Sequence, residues 1–305
     1  MCTLPIGMRL QQGFLDPETR SGYHVIARQK QIWAVELDLL KCFLEVCRKH
    51  DIRVHVFAGT LLGTVRHRGF IPWDDDVDVC MDRRNYKKLL QLPRDAFPEP
   101  YFLQTPLSDR KFYCHYARLR NSKTTGVIAW NNSPGYNNGI YIDIFVLDGY
   151  TRSAKMYLLQ RKLDSLMKRI VTSPRRLSGC HSVKDVLGRI MRCILPYKCL
   201  VWMHGFVLGL ATRWTDRLTF MTHPEKLLKK YWILKSDLME TLELPFENIM
   251  VPVPKDYAAV LTRIYGDYMS FPPVEERGQW HEGQIHFEPT VPYVDYFKRI
   301  GKLQP

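Results

Sequence analysis

The chain has 305 residues, 46% of them hydrophobic, so it can bury a large core and has the composition of an ordinary globular protein. Lys and Arg exceed Asp and Glu by 44 − 31 = 13. The eight cysteines include no Cys-x-x-Cys pair, and residues 1–20 contain no apolar signal-peptide core. These features argue against a zinc or redox motif and against a secretory leader, so we expect reduced cysteines and a cytoplasmic protein.

Apolar residues at helical spacing predict a long helix over residues 24–50. Arg53–Phe57 follows as a short strand, Gly59 and Thr60 interrupt it, and Leu61 starts a second helix. A glycine at this point lets the backbone approach a ligand closely, and the N–H groups at a helix start favour an anion. Alternatively, the glycine turn does no more than join the strand to the helix.

A basic cluster follows, formed by Arg66, His67 and Arg68. An arginine can bind phosphate oxygens bidentately, so Arg66 is a candidate substrate-binding residue. The alternative is that these side chains are solvated.

Acidic residues then alternate with Val77, Val79 and Met81, which predicts a half-buried strand. Asp76 and Asp78 would share one face at the strand end, where two close carboxylates repel each other unless a cation lies between them. Carboxylate oxygens suit Mg²⁺, which commonly completes its shell with substrate phosphate. We therefore predict a metal-dependent, phosphate-handling enzyme, with a solvated acidic cap as the alternative.

Asp74 precedes Asp76 by two residues, so it either continues the same face of the strand or lies in the turn after Pro72. The following residues predict a short helix over Tyr86–Leu90. Strands are predicted at Tyr101–Gln104, Phe112–Leu119 and Val127–Trp130, and a loop at 131–138 that borders the site.

Gly139–Gly149 is the most strand-like run of the chain, and Asp143 is its one interior charge. A carboxylate in such a strand is costly to bury unless it is paired or binds a metal. Beside the strand of Asp76 and Asp78, it would complete a three-carboxylate metal site. A structural pair with Arg or Lys is the alternative, and Asp148 is predicted to be a turn residue.

Residues 152–235 hold 18 basic and 4 acidic side chains, so this segment accounts for the whole positive excess. Its amphipathic stretches predict one helix from about Met156 to Arg169 and a second near Val183–Leu195, separated by breaks at Thr172–Pro174 and Ser178–Gly179. An anionic membrane surface suits this charge better than nucleic acid, because no recognisable nucleic-acid module is present. A solvated basic face without a partner is the third interpretation.

Ile194–Ala211 is the one long apolar run, and it is too short and too interrupted to span a bilayer. We expect a buried helix or, as the alternative, an interfacial helix with Trp202 and Trp214 near the headgroups.

The chain resembles the LicD family of phosphotransferases, which includes bacterial phosphocholine transferases and is related to the fukutin group. The most specific match is the Gly-Thr-Leu-Leu-Gly…Arg-His…Gly-Phe-Ile-Pro-Trp-Asp-Asp-Asp series. The resemblance extends over Gly59–Asp78, Met81–Arg83, Tyr86, Gly139–Asp148, Leu244–Glu247, Val251–Pro254, Tyr257, Tyr265–Met269, Pro272, Pro273, Arg277 and His281.

This resemblance implies an α/β (α+β) fold with a nucleotidyltransferase-like mixed sheet flanked by helices. We expect a catalytic core over residues 1–150, a basic and membrane-facing helical insertion over 151–240, and a C-terminal block over 241–305 that packs back on the core. The implied metal ligands, also the catalytic residues, are Asp76, Asp78 and Asp143. The candidate substrate-binding residues are Gly59, Thr60, Arg66, Asp74, Arg277 and His281.

The implied reaction moves phosphocholine or a polyol phosphate from a CDP-linked donor to a hydroxyl group and releases CMP, with Mg²⁺ or Mn²⁺ as cofactor. The acceptor is a glycan or lipid-linked oligosaccharide of lipopolysaccharide, teichoic acid or capsule, which would place the protein at the inner membrane face. Asp143 and Asp74 are both candidates for the catalytic base. Arg277 and His281 either contact phosphate or close the C-terminal block on the core. A nucleotidyltransferase and a non-catalytic glycan- or membrane-binding relative are the alternatives.

Overall fold

The computed structural model describes residues 3–129, 133–151, 153–172, 183–220, 231–278 and 283–304. The helices are α1 (Ala27–Lys49), α2 (Ala58–His67), α3 (Arg83–Leu89), α4 (Ala154–Thr172), α5 (Val183–Ile194), α6 (Tyr197–Leu208), α7 (Tyr257–Tyr265) and α8 (Tyr293–Arg299). The strands are β1 (Glu18–Arg20), β2 (Tyr23–Val25), β3 (His55–Val56), β4 (Asp78–Asp82), β5 (Tyr101–Gln104), β6 (Ala117–Asn121), β7 (Thr125–Ile128), β8 (Ile140–Gly149), β9 (Arg217–Thr219), β10 (Trp232–Leu234), β11 (Thr241–Phe246), β12 (Ile249–Pro254) and β13 (Ile285–Glu288).

The central sheet is mixed, and β8 lies at its middle. Strand β4 pairs with β8 in parallel, whereas β3, β6 and β9 form antiparallel ladders with their neighbours. The strand order is β10-β9-β8-β4-β3, and β6 and β5 extend the sheet from β8. Strand β8 has neighbours along both edges, and its apolar residues are buried except Phe145, which is half-buried. The predicted α+β class with a mixed sheet is confirmed.

Helix α1 packs against β8. Its apolar residues recur at helical spacing on a broad face, and Trp33, Leu37, Leu40 and Phe43 are fully buried. Arg48 and Lys49 lie in its last turn, where positive charge complements the helix dipole. The long N-terminal helix predicted from the sequence is therefore confirmed.

Several predicted boundaries were wrong. The strand expected over Arg53–Phe57 is reduced to His55–Val56, and α2 begins at Ala58 rather than Leu61. The strand expected over Phe112–Leu119 begins only at Ala117, and Trp130 lies outside the described residues. Helix α3 begins at Arg83, because the Asp82 side chain accepts a hydrogen bond from Asn85 N and caps it.

Asp148 is not a turn residue. It lies within β8, is buried, and forms an ion pair with Arg83, whose Nε is 2.9 Å from Asp148 Oδ1. The dipeptide Asp148-Gly149 was typical of a turn, but the long-range pairing with Arg83 stabilises the carboxylate inside the strand.

The basic segment forms α4 and α5, as its amphipathic pattern predicted. Helix α4 ends at Thr172, where the first break was predicted, and the other residues of the predicted breaks lie outside the described residues. The apolar run Ile194–Ala211 contains α6, of which Tyr197, Leu200, His204 and Leu208 are buried. These helices share a small apolar cluster of their own, formed by Met167, Ile170, Val171, Tyr197 and Leu200. Of the described helices, none combines the length and apolar character needed to cross a membrane. The three-part division of the chain remains a prediction.

Candidate active site

A cavity of about 590 Å³ opens where β4, the start of α2 and the segment after α7 meet. Five of the predicted site residues line it, namely Gly59, Arg66, Asp74, Asp76 and Asp78. The remaining wall is largely aromatic and comes from distant parts of the chain: Phe57, Trp73, Phe145, Tyr231, Tyr265, Tyr268 and Phe271.

The loop that carries Asp74 is held in place by α1. Gln29 Nε2 donates to Pro72 O at 2.9 Å, and Trp33 Nε1 donates to Asp74 O at 3.0 Å. Asp74 N also donates to Ile71 O and closes a turn. Both α1 side chains are buried, so the acidic loop is fixed by the protein interior. Asp74 thus lies in the turn after Pro72, one of the two positions left open by the sequence.

Gly59 lies in the first turn of α2 and directly contacts the Asp74 carboxylate. A Cβ atom at this glycine would lie 2.7 Å from Asp74 Oδ2, closer than side chains tolerate. Glycine is therefore needed here for close approach. The positive end of the helix dipole also favours a carboxylate at this position.

The Thr60 side chain binds the backbone of Asp78. Its Oγ1 accepts a hydrogen bond from Asp78 N at 2.8 Å, and the residue is 4% exposed. This bond fixes the first residue of β4 relative to α2. Its predicted role in substrate binding remains a prediction.

Asp143 lies beside Asp78, as expected for a third acid. The two residues are directly paired in the parallel ladder of β4 and β8, and Asp143 N donates to Val77 O at 2.9 Å. The Asp143 carboxylate also accepts a hydrogen bond from Arg118 Nε at 2.6 Å. The structure thus contains both arrangements that the sequence left open, proximity to the acidic strand and an ion pair.

Arg118 was missed by the sequence analysis. It lies in β6, directly across from Asp143, and its guanidinium stacks over the Tyr141 ring at 3.9 Å. Burial by itself lowers the pKa of an arginine, but Asp143 raises the pKa of Arg118 well above its ordinary value. Two arginines in the short strand Ala117–Asn121 were the available signal.

The acidic cluster is electrostatically strained. Burial raises the pKa of the Asp74 and Asp78 carboxyls well above their ordinary values, and the nearby charge of Asp76 raises both further. The side chains of Asp74 and Asp76 also share a hydrogen bond. Carboxyl groups this close either retain a proton or bind a cation, so the donor set fits a divalent metal.

Glu36 adds a further acid behind the cluster and was also missed. It is buried in α1, and its Oε2 has no hydrogen-bond partner among the described residues. Burial first, and then Asp75 and Asp76, raise the pKa of Glu36 well above its ordinary value. A lone Glu within the apolar run Trp33–Leu37 was the available signal.

Arg66 and Arg277 approach the aromatic wall. Arg66 Nη1 donates to Tyr268 O at 3.1 Å and to Ser270 O at 2.9 Å, and Arg277 Nε donates to Pro272 O at 2.8 Å. Both guanidinium groups lie over the Phe271 ring, at 5.2 Å and 5.4 Å. Burial, with repulsion from Arg277, lowers the pKa of Arg66.

These contacts join Arg66 and Arg277 to the C-terminal block. Their assignment to phosphate remains a prediction. His281, the last predicted substrate residue, lies outside the described residues.

A separate group of side chains has atoms close enough to hold a metal ion. This group consists of His115, Asp164 and His204. Each offers one potential ligand atom, and in the described part of the chain these atoms all lie within 4.8 Å of one another. His204 Nε2 is 2.8 Å from Asp164 Oδ1, and His204 Nδ1 is 2.5 Å from the Tyr113 hydroxyl. Asp76, Asp78 and Asp143 are not among the groups that meet this distance. The members of this triad are far apart in the chain, so no local pattern in the sequence predicted the group.

Comparison with known proteins gives consistent results. Residues 51–174 match the sequence model of the LicD/FKTN/FKRP nucleotidyltransferase domain. The chain is 26% identical over 258 residues to the lipopolysaccharide cholinephosphotransferase LicD of Haemophilus influenzae, a match that covers 83% of this chain and 95% of that protein. Two uncharacterised proteins, from Rickettsia prowazekii and Rickettsia typhi, are each 49% identical over 41 residues, which is 13% of this chain and 15% and 13% of theirs.

The match to the domain model includes β3, α2, β4 and β8, which carry Gly59, Asp74, Asp76, Asp78 and Asp143. The Haemophilus relative aligns with most of the remaining chain as well. The LicD/FKTN/FKRP domain model thus matches the part of the chain that carries the acidic residues, and the similarity to the Haemophilus cholinephosphotransferase extends over most of the rest.

Proposed function

We propose that this protein transfers a phospho-alcohol group from a CDP-linked donor to a hydroxyl of a cell-surface glycan precursor and releases CMP. The observation that carries this proposal is the single cavity that combines Asp74, Asp76 and Asp78 with Arg66 and an aromatic wall. The name of the Haemophilus relative supports phosphocholine as the group and lipopolysaccharide as the acceptor class.

Asp76 and Asp78 would hold Mg²⁺ or Mn²⁺, together with Asp143 if Arg118 releases it. The repulsion among the buried carboxyls, which raises the pKa of Asp78, is the property of the site that supports a cation. When bound, such a metal supplies charge neutralisation for the diphosphate of the donor.

The chain's own residues carry the remaining steps. The acceptor oxygen bonds to the distal phosphorus, and the bond from that phosphorus to the bridging oxygen breaks. CMP leaves with the electron pair. Arg66 lines the cavity and offsets negative charge on the phosphoryl oxygens.

Asp74 is the better candidate for the proton acceptor. The Asp143 carboxylate already accepts a hydrogen bond from Arg118, whereas Asp74 lines the cavity, and burial and Asp76 raise its pKa.

The aromatic wall favours choline over a polyol as the transferred alcohol. Quaternary ammonium groups bind over aromatic faces. Trp73 and Phe271 already face Arg277, whereas Tyr231 and Tyr265 contact each other edge to face at 6.3 Å. Burial, with the nearby Tyr231, Asp74 and Asp78, raises the pKa of Tyr265, so this ring lies close to the acidic cluster. We infer that Tyr231 and Tyr265 form the choline subsite.

The alternative function is transfer of a nucleoside monophosphate from a nucleoside triphosphate. It is favoured by the match of residues 51–174 to a nucleotidyltransferase domain, since the same acids would serve both reactions. The two reactions differ in their leaving group, which is CMP in one case and pyrophosphate in the other.

The test measures CMP release from CDP-choline and CDP-ribitol, with Mg²⁺ or EDTA. It compares the wild type, Asp76→Asn/Asp78→Asn and the control Asp51→Asn, whose carboxylate is fully exposed. Metal-dependent CMP from CDP-choline, lost in the double variant and retained in the control, is the expected result. Pyrophosphate release from a nucleoside triphosphate without CMP would assign the alternative function. Absence of both products with a glycan acceptor present would contradict an enzymatic role.

A further inference from the structure

Helix α6 is apolar on two opposite faces. Its inner face packs inside the protein through Tyr197, Leu200, His204 and Leu208. Its outer face, one helical stripe at i, i+3, i+4 and i+7, consists of Cys199, Trp202, Met203 and Phe206, and all four side chains are exposed. Phe206 is 71% exposed. A helix of a soluble protein normally carries polar residues on its outer face, whereas nothing in the described part of the chain covers these four side chains of α6.

Helix α5 has the reverse of the usual amphipathic arrangement. Val186, Ile190 and Ile194 recur at every fourth position and are exposed, and Ile194 is 72% exposed. Two arginines lie on the opposite side: Arg189 is buried, and Arg192 stacks over the Tyr197 ring at 4.9 Å. The apolar ridge of this helix therefore points away from the protein.

The small apolar cluster that joins α4, α5 and α6 does not need these outer residues. It is built from inward residues such as Met167, Ile170 and Leu200. The outer apolar residues are thus surplus to the packing of the three helices, and we call the two stripes of α5 and α6 the outer apolar face.

The helices that form and adjoin the outer apolar face also carry exposed positive charge. The exposed side chains of Lys155 and Lys162 lie on α4, Lys198 lies beside Trp202 in α6, and Arg213 precedes the exposed Trp214. Residues 152–235 carry 18 basic and 4 acidic side chains in total. Aliphatic and aromatic residues rimmed by Lys and Arg complement acyl chains beneath anionic headgroups. Nucleic acid would use the charge but offers little to a ridge of Val and Ile.

We propose that the outer apolar face docks the protein on an anionic lipid bilayer. The apolar side chains would enter the boundary of the acyl chains, and the flanking Lys and Arg residues would contact the headgroups. This contact goes beyond the proposed function, because it would bring the cavity to a membrane where lipid-linked acceptors are found.

The experiment measures co-sedimentation of the full chain with vesicles, in the absence of any donor, so that its result does not depend on the proposed function. Vesicles of phosphatidylcholine alone are compared with vesicles that also contain phosphatidylglycerol. We expect roughly tenfold stronger partition into the anionic vesicles, weakened by added salt. Trp202→Ser/Phe206→Ser should lower that partition roughly tenfold or more.

The matched control is Leu242→Ser/Met250→Ser, which removes two exposed apolar side chains, 40% and 50% exposed, from the hairpin of β11 and β12. It should bind like the wild type, and near-ultraviolet circular dichroism checks that each variant is folded. Lys155→Gln/Lys198→Gln provides a second variant, which should weaken only the partition into anionic vesicles.

Equal partition of the wild type into both vesicle types would overturn the proposal. So would equal binding by the Trp202/Phe206 variant and the hairpin control. Light scattering tests whether a second copy of the chain binds this face instead of a bilayer. A wild-type dimer that becomes monomeric in the Trp202/Phe206 variant would assign the face to dimerisation and overturn the proposal.

Discussion

Replacement of Gly59 by alanine would shift the Asp74 carboxylate without removing any acidic side chain from the cluster. The new Cβ would lie 2.7 Å from Asp74 Oδ2, whereas ordinary contacts begin at 3.4 Å, so the carboxylate must move by roughly 0.7 Å. A misplacement of about 1 Å in an active site can cost on the order of 100-fold in rate. Alanine also stabilises a helix by up to about 1 kcal/mol relative to glycine, which offsets part of the steric cost in the folded state.

We therefore expect Gly59→Ala to lower kcat for CMP release by roughly 10- to 100-fold while the melting temperature changes little. The control is Gly205→Ala in α6, where the nearest atom to the added Cβ is Arg83 Nη1 at 3.6 Å. That variant should retain full activity and match or exceed the wild type in melting temperature. If Gly59→Ala kept the wild-type kcat, the contact with Asp74 would have no catalytic importance and the reasoning would be refuted.

Three further predictions follow from the contacts around the cavity. Arg118→Leu leaves the Asp143 carboxylate without its ion-pair partner, so the free energy of unfolding in urea should fall by about 3–5 kcal/mol; a loss below about 1 kcal/mol would show that solvent or a metal takes over the pairing. Because the pKa of Asp78 is raised in the folded protein, its protonated form stabilises the fold below the unfolded-state pKa of about 4, and this contribution is lost as the pH rises. Mg²⁺ should therefore increase the melting temperature of EDTA-treated protein more at pH 7.5 than at pH 5. That pH dependence should flatten in Asp78→Asn, and an equal Mg²⁺ effect at both pH values would contradict it. Tyr265→Leu should raise KM for CDP-choline roughly 5- to 30-fold more than KM for CDP-ribitol, and equal changes for both donors would argue against a choline subsite.

Much of the fold follows from local patterns in the sequence. The apolar periodicity of α1 and the β-branched run of β8 identify these elements because each buries a continuous surface. The boundaries near Arg53–Phe57 and Phe112–Leu119 were missed because strand length depends on the neighbouring strand, which local propensity does not encode.

The candidate site was only partly predictable. Asp76 and Asp78 were recognisable from their spacing, and the proximity of Asp143 followed from the expectation of adjacent strands. Arg118 and the aromatic wall were missed, because they come from segments that are distant in sequence and that only the tertiary fold brings together. Long-range pairs of this kind leave no periodic signal in a single sequence.

The cavity is built from segments that are synthesised at different times, so a growing chain cannot be active until the later segment has been made. Its acidic side is built from residues 74–78, but its opposite wall comes from residues 265–272, and Arg66 is fixed by the carbonyl groups of Tyr268 and Ser270. A growing polypeptide that has already folded its central sheet therefore still lacks half of the binding pocket. Catalysis must therefore wait until residues 265–272 have left the ribosome and packed against the sheet.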